Sequence, residues 1–337
     1  MVGKPEAGTG VEEPVMRVEG LTTRYPTRDS WLDACQDVGL VLLPRQTLGV
    51  VGESGSGKSS IGLSIMRLVP RPGRIVKGHV WLDGVDLLAV TEREMRRVRG
   101  RRVAMVFQDA MNTLDPCYRV GSQLTEAIRL HERASRRAAR GRAEQLLRSV
   151  HLDPRTMRVY PHELSGGMRQ RVGIALALAG RPSIIIADEP TTALDVTVQA
   201  EIQDLLREVC IESGMSLMLI SHDLAVVARM AERVIVMYGG RVVESGSVSS
   251  VLELPAHPYT ASLLASVPPV DRRVERLLPV PGDAFTSRLG AKTSCVFVGR
   301  CPYATARCTE VAPALGSVGV GHLVACHYPL QSVREPS

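Results

Sequence analysis

The sequence predicts an α/β fold built on a largely parallel sheet. Three observations carry this. Short β-branched or apolar runs have the length of buried strands, helical stretches separate most of them, and one glycine-rich loop sits between such a run and a helix. Residues 15–18 open the fold as a short strand, and residues 48–51 form an apolar run that leads straight into Gly52. Residues 59–68 then carry helical periodicity. The runs 103–107, 184–187, 217–220 and 234–237 follow as buried strands. Between Asp115 and Pro161 the strand pattern vanishes, and residues 120–150 read as one amphipathic helix rich in Arg, Ala, Leu and Glu. This marks a helical insertion spanning residues 115–165. From Pro268 onward prolines, glycines and cysteines replace periodic segments, so a separate small C-terminal module is expected.

Composition bounds the class. A chain of 337 residues, 45% hydrophobic and 23% charged, buries a full core and holds one large domain plus a smaller one, or two. Disorder as a global state is excluded. No apolar run approaches the roughly 18 residues that a membrane span needs. Residues 1–13 are polar, with no apolar segment after a basic start, and are expected to be a disordered N-terminus rather than a signal or transit peptide. The expected location is therefore the cytoplasm. Net charge is +6, carried mostly by arginine, with lysine only at Lys4, Lys58, Lys77 and Lys292. Arginine clusters at residues 93–102 and 133–148 read as solvated helical faces. Nucleic acid or an anionic membrane surface is the alternative, which the lack of interleaved aromatics opposes.

The phosphate chemistry starts at Gly52-Glu53-Ser54-Gly55-Ser56-Gly57-Lys58-Ser59, which fits the Walker A pattern G-x-x-x-x-G-K-S. Its glycines let successive backbone N–H groups wrap phosphates at a helix N-terminus. Lys58 then reaches the β- and γ-phosphates of ATP, and the Ser59 hydroxyl is placed for Mg²⁺, with Ser60 following. Residues 184–187 end in Asp188-Glu189. Asp188 suits the Mg²⁺ shell, and Glu189, directed differently, suits the orientation and deprotonation of an attacking water.

Gln108, the run from Leu164 to Gln170, Asp188-Glu189, Ala193-Leu194-Asp195 and Ser221-His222-Asp223 occur in the order of the Q-loop, signature, Walker B, D-loop and H-loop of ABC transporter ATPases. The chain resembles that family over residues 14–262, which implies a RecA-like P-loop NTPase core with a helical subdomain. By the resemblance, Gln108 senses the γ-phosphate and Mg²⁺ and links to the membrane domain, and His222 contacts the γ-phosphate. Ser165, Gly166 and Gly167 bind the ATP held by a partner's P-loop, with Asp195 in the adjoining D-loop. That role is physically sound, because a hydroxyl and bare N–H groups before a helix make an anion site. Tyr25 stands where the family stacks an aromatic on adenine, and simple packing is its alternative. Met168 replaces the usual Gln of the signature, and Ala110 a frequent Pro after the Q-loop.

The tail narrows the branch. His257-Pro258-Tyr259-Thr260, Arg300-Cys301-Pro302-Tyr303 and Ala325-Cys326-His327-Tyr328-Pro329 resemble the C-terminal extension of oligopeptide and dipeptide importer ATPases, here residues 263–337. Cys295, Cys301, Cys308 and Cys326 are spaced by five, six and seventeen residues and lack the paired C-x-x-C knuckles of many zinc sites. The resemblance implies that they hold a [4Fe–4S] cluster; zinc, or free buried thiols, are the alternatives. It further implies a second ATPase subunit forming a heterodimer, two membrane permeases, an extracytoplasmic peptide-binding protein, and a peripheral position on the cytoplasmic face of the plasma membrane. The rival readings are a non-transport ATPase acting on nucleic acid or ribosomes, a binding-only subunit, and an importer of nickel chelates, glutathione or another related solute.

Overall fold

The computed structural model describes residues 13–108, 113–192, 194–266 and 293–330. The expectation of a disordered N-terminus lies outside these residues but for Glu13, as do Ala110, Ala193 and much of the expected extension. The chain opens with two long strands, β1 (Met16–Pro26) and β2 (Trp31–Leu42), and then β3 (Thr47–Val51) enters the phosphate-binding loop. The helix Lys58–Ile65 follows, then β4 (Arg74–Leu82), β5 (Val85–Asp86), the helix Glu92–Val98 and β6 (Val103–Val106). Among the described residues no strand interrupts the next stretch, which holds the helices Val120–Glu132 and Arg136–Ser149 and leads to Gly166–Leu178. After it β7 (Ile184–Asp188), the helix Val196–Ser213, β8 (Ser216–Ser221), the helix Leu224–Met230, β9 (Arg233–Tyr238) and β10 (Arg241–Ser247) complete the core. The helices Val248–Glu253, Pro258–Ala265 and Ala306–Glu310 and the strands β11 (Gly316–Gly319) and β12 (His322–Val324) end it.

Two sheets stack. The smaller has the order β2-β1-β4-β5 and is antiparallel. The larger has the order β11-β12-β10-β9-β3-β8-β7-β6, and its run from β9 to β6 is parallel, as expected. The strands in that run are apolar between their ends because both faces are covered, and their side chains alternate between two cores. Ile184, Ile186, Met218 and Ile220 face the antiparallel sheet and the helix after the loop, whereas Ile185, Ala187, Leu217 and Leu219 face the helical side. Each fully buried Ile or Leu contributes about 1.5–3 kcal/mol.

Three expectations need correction. The single helix expected over residues 120–150 is two, because Arg133 takes a left-handed φ of 51° and Ser135 caps a new helix by accepting the Ala138 N–H. The helix expected to reach residue 68 ends at Ile65, with Arg67 at φ 51°. The tail does not stand apart as a small module. β12 pairs with β10 (Glu244 opposite Val324), and Phe297 is buried in the main core. Glu244, fully buried, accepts from Ala256 N at 2.7 Å, His257 N at 3.0 Å and His322 Nε2 at 2.7 Å, which ties the tail to the sheet.

Candidate active site

The loop between β3 and the helix Lys58–Ile65 has the conformation its glycines permit. Gly52, Gly55 and Gly57 lie at φ +151°, +77° and +102°. Lys58 is buried in the loop, its Nζ donating to Gly52 O at 2.7 Å and to Glu53 O at 3.0 Å. Ser56 is also buried. The Ser59 hydroxyl donates to Asp188 Oδ1 at 2.9 Å across the sheet, from the end of β7. Burial pushes the Asp188 pKa up and neighbouring Glu189 adds to it, while the Ser59 hydrogen bond and Lys58 oppose the rise. A cation held by Ser59 and Asp188 would relieve that penalty.

Glu189 sits one residue beyond the strand at φ 44°, an uncommon left-handed conformation for a non-glycine residue, held by its N–H donating to Ile220 O at 2.9 Å. One oxygen of its carboxylate, Oε2, gathers Gln108 Nε2 at 3.0 Å, Thr192 Oγ1 at 3.1 Å and His222 Nδ1 at 3.2 Å. Three separate loops are thus fastened at one oxygen. Thr192, three residues after Glu189 and next to the D-loop run, was given no role at the site from the sequence. His222 lies where β8 gives way to a helix capped by Asp223, whose carboxylate accepts from Ala225 N and Val226 N.

A cleft of about 700 Å³ joins these parts, lined by Tyr25, Ser54, Gly55, Gly57, Lys58, Ser59, Ser60, Gln108, Glu189 and His222. Tyr25 thus stands at the cleft, from the end of β1. Glu53 and Leu263, which the motif reading did not mark as site residues, line it too. A second cleft of about 810 Å³, rimmed by Arg119, Arg129, Arg136, Arg140 and Arg158, contains none of the motif residues.

Ser165, Gly166, Gly167 and Asp195 do not line the first of these clefts. Ser165 caps the helix Gly166–Leu178 by accepting the Met168 N–H at 3.3 Å, and Asp195 caps Val196–Ser213 by accepting the Val198 N–H at 3.0 Å. The glycines are needed for packing as well as for bare N–H groups. A Cβ on Gly166 would meet Leu194 Cδ2 at 3.0 Å, and one on Gly167 would meet Val198 Cγ1 at 2.6 Å. Met168 donates its backbone N–H to the cap whatever its side chain, which packs against the main core.

The four tail cysteines come together although far apart in sequence. Cys295 N donates to Cys308 O at 2.9 Å. Burial first, then the neighbouring thiols of Cys308, Cys326 and Cys301, pushes Cys295 up to about 11. Burial also raises Cys301 and Cys326. Three of the sulfurs accept the backbone N–H two residues on: Cys295 from Phe297, Cys301 from Tyr303, and Cys326 from Tyr328 at 3.4 Å. Among the described residues, no group of three or more His, Cys, Asp or Glu is arranged to hold a metal ion. No helix of the described residues is long and apolar enough to cross a membrane.

The arrangement can be set beside known proteins. Residues 35–192 match the family described as ABC transporter, and residues 243–308 match the one described as oligopeptide/dipeptide transporter, C-terminal region. The chain is 43% identical over 325 residues to the dipeptide transport ATP-binding protein DppD of Escherichia coli K12, covering 96% of this chain and 99% of that one. It is 46% identical over 328 residues to a putative peptide import ATP-binding protein of Brucella abortus, covering 93% and 97%. Among solved structures, the bacterial ABC transporter cassette MJ0796, a dimer, superposes with a TM-score of 0.63 at 30% identity over 69% of this chain and 98% of that one. The same cassette in a dimeric post-hydrolysis state bound to ADP and phosphate gives 0.62 at 29% identity, over the same 69% and 98%. With its phosphate loop, paired carboxylates, histidine and fastened tail all present in this order, the chain belongs to the ABC transporter ATP-binding subunits, in their oligopeptide/dipeptide transporter branch.

Proposed function

We propose that this chain is the ATP-hydrolysing subunit of an importer of dipeptides or longer oligopeptides, seated on the cytoplasmic face of the membrane against permease subunits. The observation that carries the catalytic part is the meeting of Gln108, Thr192 and His222 on one oxygen of Glu189, beside the phosphate loop. The peptide cargo rests on the named relatives and the tail. Lys58 and the loop N–H groups bind the β- and γ-phosphates, and Tyr25 offers a face to adenine. Ser59, Asp188 and Gln108 would hold Mg²⁺, which supplies charge neutralisation on the phosphates when bound. The polarised Ser59–Asp188 pair, with the raised Asp188 pKa, fits that cation.

Glu189 accepts a proton from the water as its oxygen forms the bond to the γ-phosphorus, while the bridging bond to the β-phosphate breaks and leaves ADP. His222 and Gln108 orient the carboxylate and the γ-phosphate. Ser165, Gly166 and Gly167, outside this chain's own cleft, offer their N–H groups to the nucleotide of a second ATPase subunit, a related chain in a heterodimer. ATP binding closes that dimer and pulls on the permeases near Gln108; hydrolysis reopens it, with an extracytoplasmic binding protein delivering the peptide. A [4Fe–4S] cluster on the four tail thiols is what the likeness of the tail to this branch implies; burial raises Cys295, Cys301 and Cys326, and among the described residues no group is arranged to hold a metal ion, so the cluster rests on that likeness and not on the arrangement of the thiols. Such a cluster would cross-link a tail that has little core of its own.

The test is reconstitution of the assembled transporter with its binding protein, followed by ATPase assays with a panel of peptides. Stimulation by dipeptides or oligopeptides supports the reading. Stimulation only by a nickel chelate or glutathione, or salt-sensitive nucleic-acid binding without permease association, overturns the cargo assignment.

A further inference from the structure

The phosphate loop is gripped by residues that lie beyond every nucleotide motif. Glu53, directly after Gly52, has its carboxylate bridged by both terminal nitrogens of Arg300, Nη1 to Oε2 at 2.7 Å and Nη2 to Oε1 at 3.1 Å. Its backbone N–H donates to the Tyr259 hydroxyl at 2.9 Å. The Arg300 side chain is 6% exposed and that of Glu53 24%, so the pair is shielded from solvent. Arg300 Nη1 also donates to the Tyr238 hydroxyl at 3.1 Å. Behind it Tyr238, Tyr259 and Phe297 are all buried and pack ring against ring, with centroids 4.6–5.5 Å apart.

A carboxylate beside a polyphosphate site is a liability unless it is neutralised. The planar guanidinium does this with two parallel hydrogen bonds, which fix direction as well as charge. The consequence reaches the lysine. The Glu53 carbonyl accepts from Lys58 Nζ at 3.0 Å, so the placement of the Glu53 peptide sets where that ammonium waits. We propose that Arg300 is a positioning residue for nucleotide binding: by clamping Glu53 it holds the phosphate loop in its receptive form and cancels a negative charge at the cleft, so the tail sets the affinity for ATP. This rests on the reading of the cleft as an ATP site.

A purely structural ion pair predicts something different. It would lower thermal stability and leave the affinity of the folded protein unaltered. A charge-cancelling clamp predicts a loss that grows with the number of phosphates. The test uses the full-length chain and direct titration of Mg-ATP and Mg-ADP, with thermal melting in parallel. Arg300→Met should weaken ATP binding about tenfold or more, and ADP binding less. Adding Glu53→Gln to Arg300→Met should bring ATP affinity back to within about threefold of wild type, because no unpaired carboxylate remains. Should Arg300→Met not fold, Arg300→Lys replaces it: one ammonium cannot span both oxygens, and about a threefold loss for ATP is expected. Unchanged ATP affinity in the folded arginine variant, an equal loss for ATP and ADP, or no recovery in the double variant overturns the proposal. A wild-type chain that binds no ATP overturns the ATP-site reading itself.

Discussion

Gly57→Ala probes the phosphate loop with a perturbation whose size follows from the coordinates. Gly57 caps the helix Lys58–Ile65 at φ 102° and ψ 4°, a region that side-chain-bearing residues rarely enter. A Cβ there would lie 2.0 Å from the Ala34 carbonyl oxygen, 3.1 Å from its carbon and 3.5 Å from Gly240 Cα. All three are backbone atoms, and Ala34 belongs to the paired strand β2, so no flexible side chain can swing aside. The conformational strain alone costs about 1–3 kcal/mol. Relieving the overlap must displace the loop, with Lys58 the next residue to move. A combined cost of about 3 kcal/mol corresponds to a loss of roughly 100-fold in ATP affinity. Two glycines provide controls. Gly55, at φ +77° with nothing within 4 Å of a built Cβ, should cost about 1–2 kcal/mol on alanine substitution. Gly173, inside the helix Gly166–Leu178 with nothing within 4 Å, should stabilise the chain by about 0.5–1 kcal/mol as alanine. Nucleotide titration and thermal melts on the three variants read the series. The reasoning fails if Gly57→Ala binds ATP within about threefold of wild type, or if Gly55→Ala is equally damaging.

Glu189→Gln in the assembled transporter should reduce ATP turnover by about 10²–10⁴-fold while ATP still binds, measured by single-turnover hydrolysis; a turnover near wild type removes Glu189 as the base. His257 is buried, and burial lowers its pKa to about 4 from an ordinary 6.5, while its Nδ1 accepts the Tyr259 N–H at 3.0 Å. Its folded pKa lies below the unfolded one, so its stabilisation is complete above pH 6.5 and is lost as pH falls from 6.5 towards 4. The loss amounts to about 3 kcal/mol over the whole window, read from urea midpoints, and His257→Asn, which keeps a cap acceptor, should flatten it. Anaerobic purification with iron and sulfide analysis should find about four of each per chain, and Cys301→Ser should lower both; a colourless protein rich in zinc would refute the cluster.

The parallel sheet was legible because its strands are apolar on both faces, with polar residues only at their ends. The phosphate loop, Glu189 and His222 were legible because motif spacing places them at strand ends. The antiparallel sheet was not. β1 runs for 11 residues, but only its first few showed, because Gly20 at φ 59° accompanies a register shift between Val18 and Leu21 that breaks the alternation. Arg133 hid for another reason: nothing in an Arg- and Ala-rich stretch announces that one arginine will turn left-handed and split a helix. The tail misled through its composition. Its prolines and glycines suggested a module apart, whereas its binding energy lies in contacts with distant partners, Val324 with β10 and Phe297 with Tyr238, which no local pattern displays.

Arg300 and Glu53 are separated by 247 positions in the chain, and that separation is also an interval of time. At the usual pace of synthesis, about 5–20 residues per second, the phosphate loop leaves the ribosome roughly 12–50 s before the arginine that completes it. During that interval the nascent chain would carry a glycine loop with an uncancelled carboxylate, and a tenfold weaker affinity would cost it about 1.4 kcal/mol of the stabilisation that ATP gives. When the last part of the polypeptide docks, ligand binding would favour the folded state more strongly by mass action. The nucleotide thus acts as a late inspector of the chain, rewarding molecules whose C-terminal end has been made and seated.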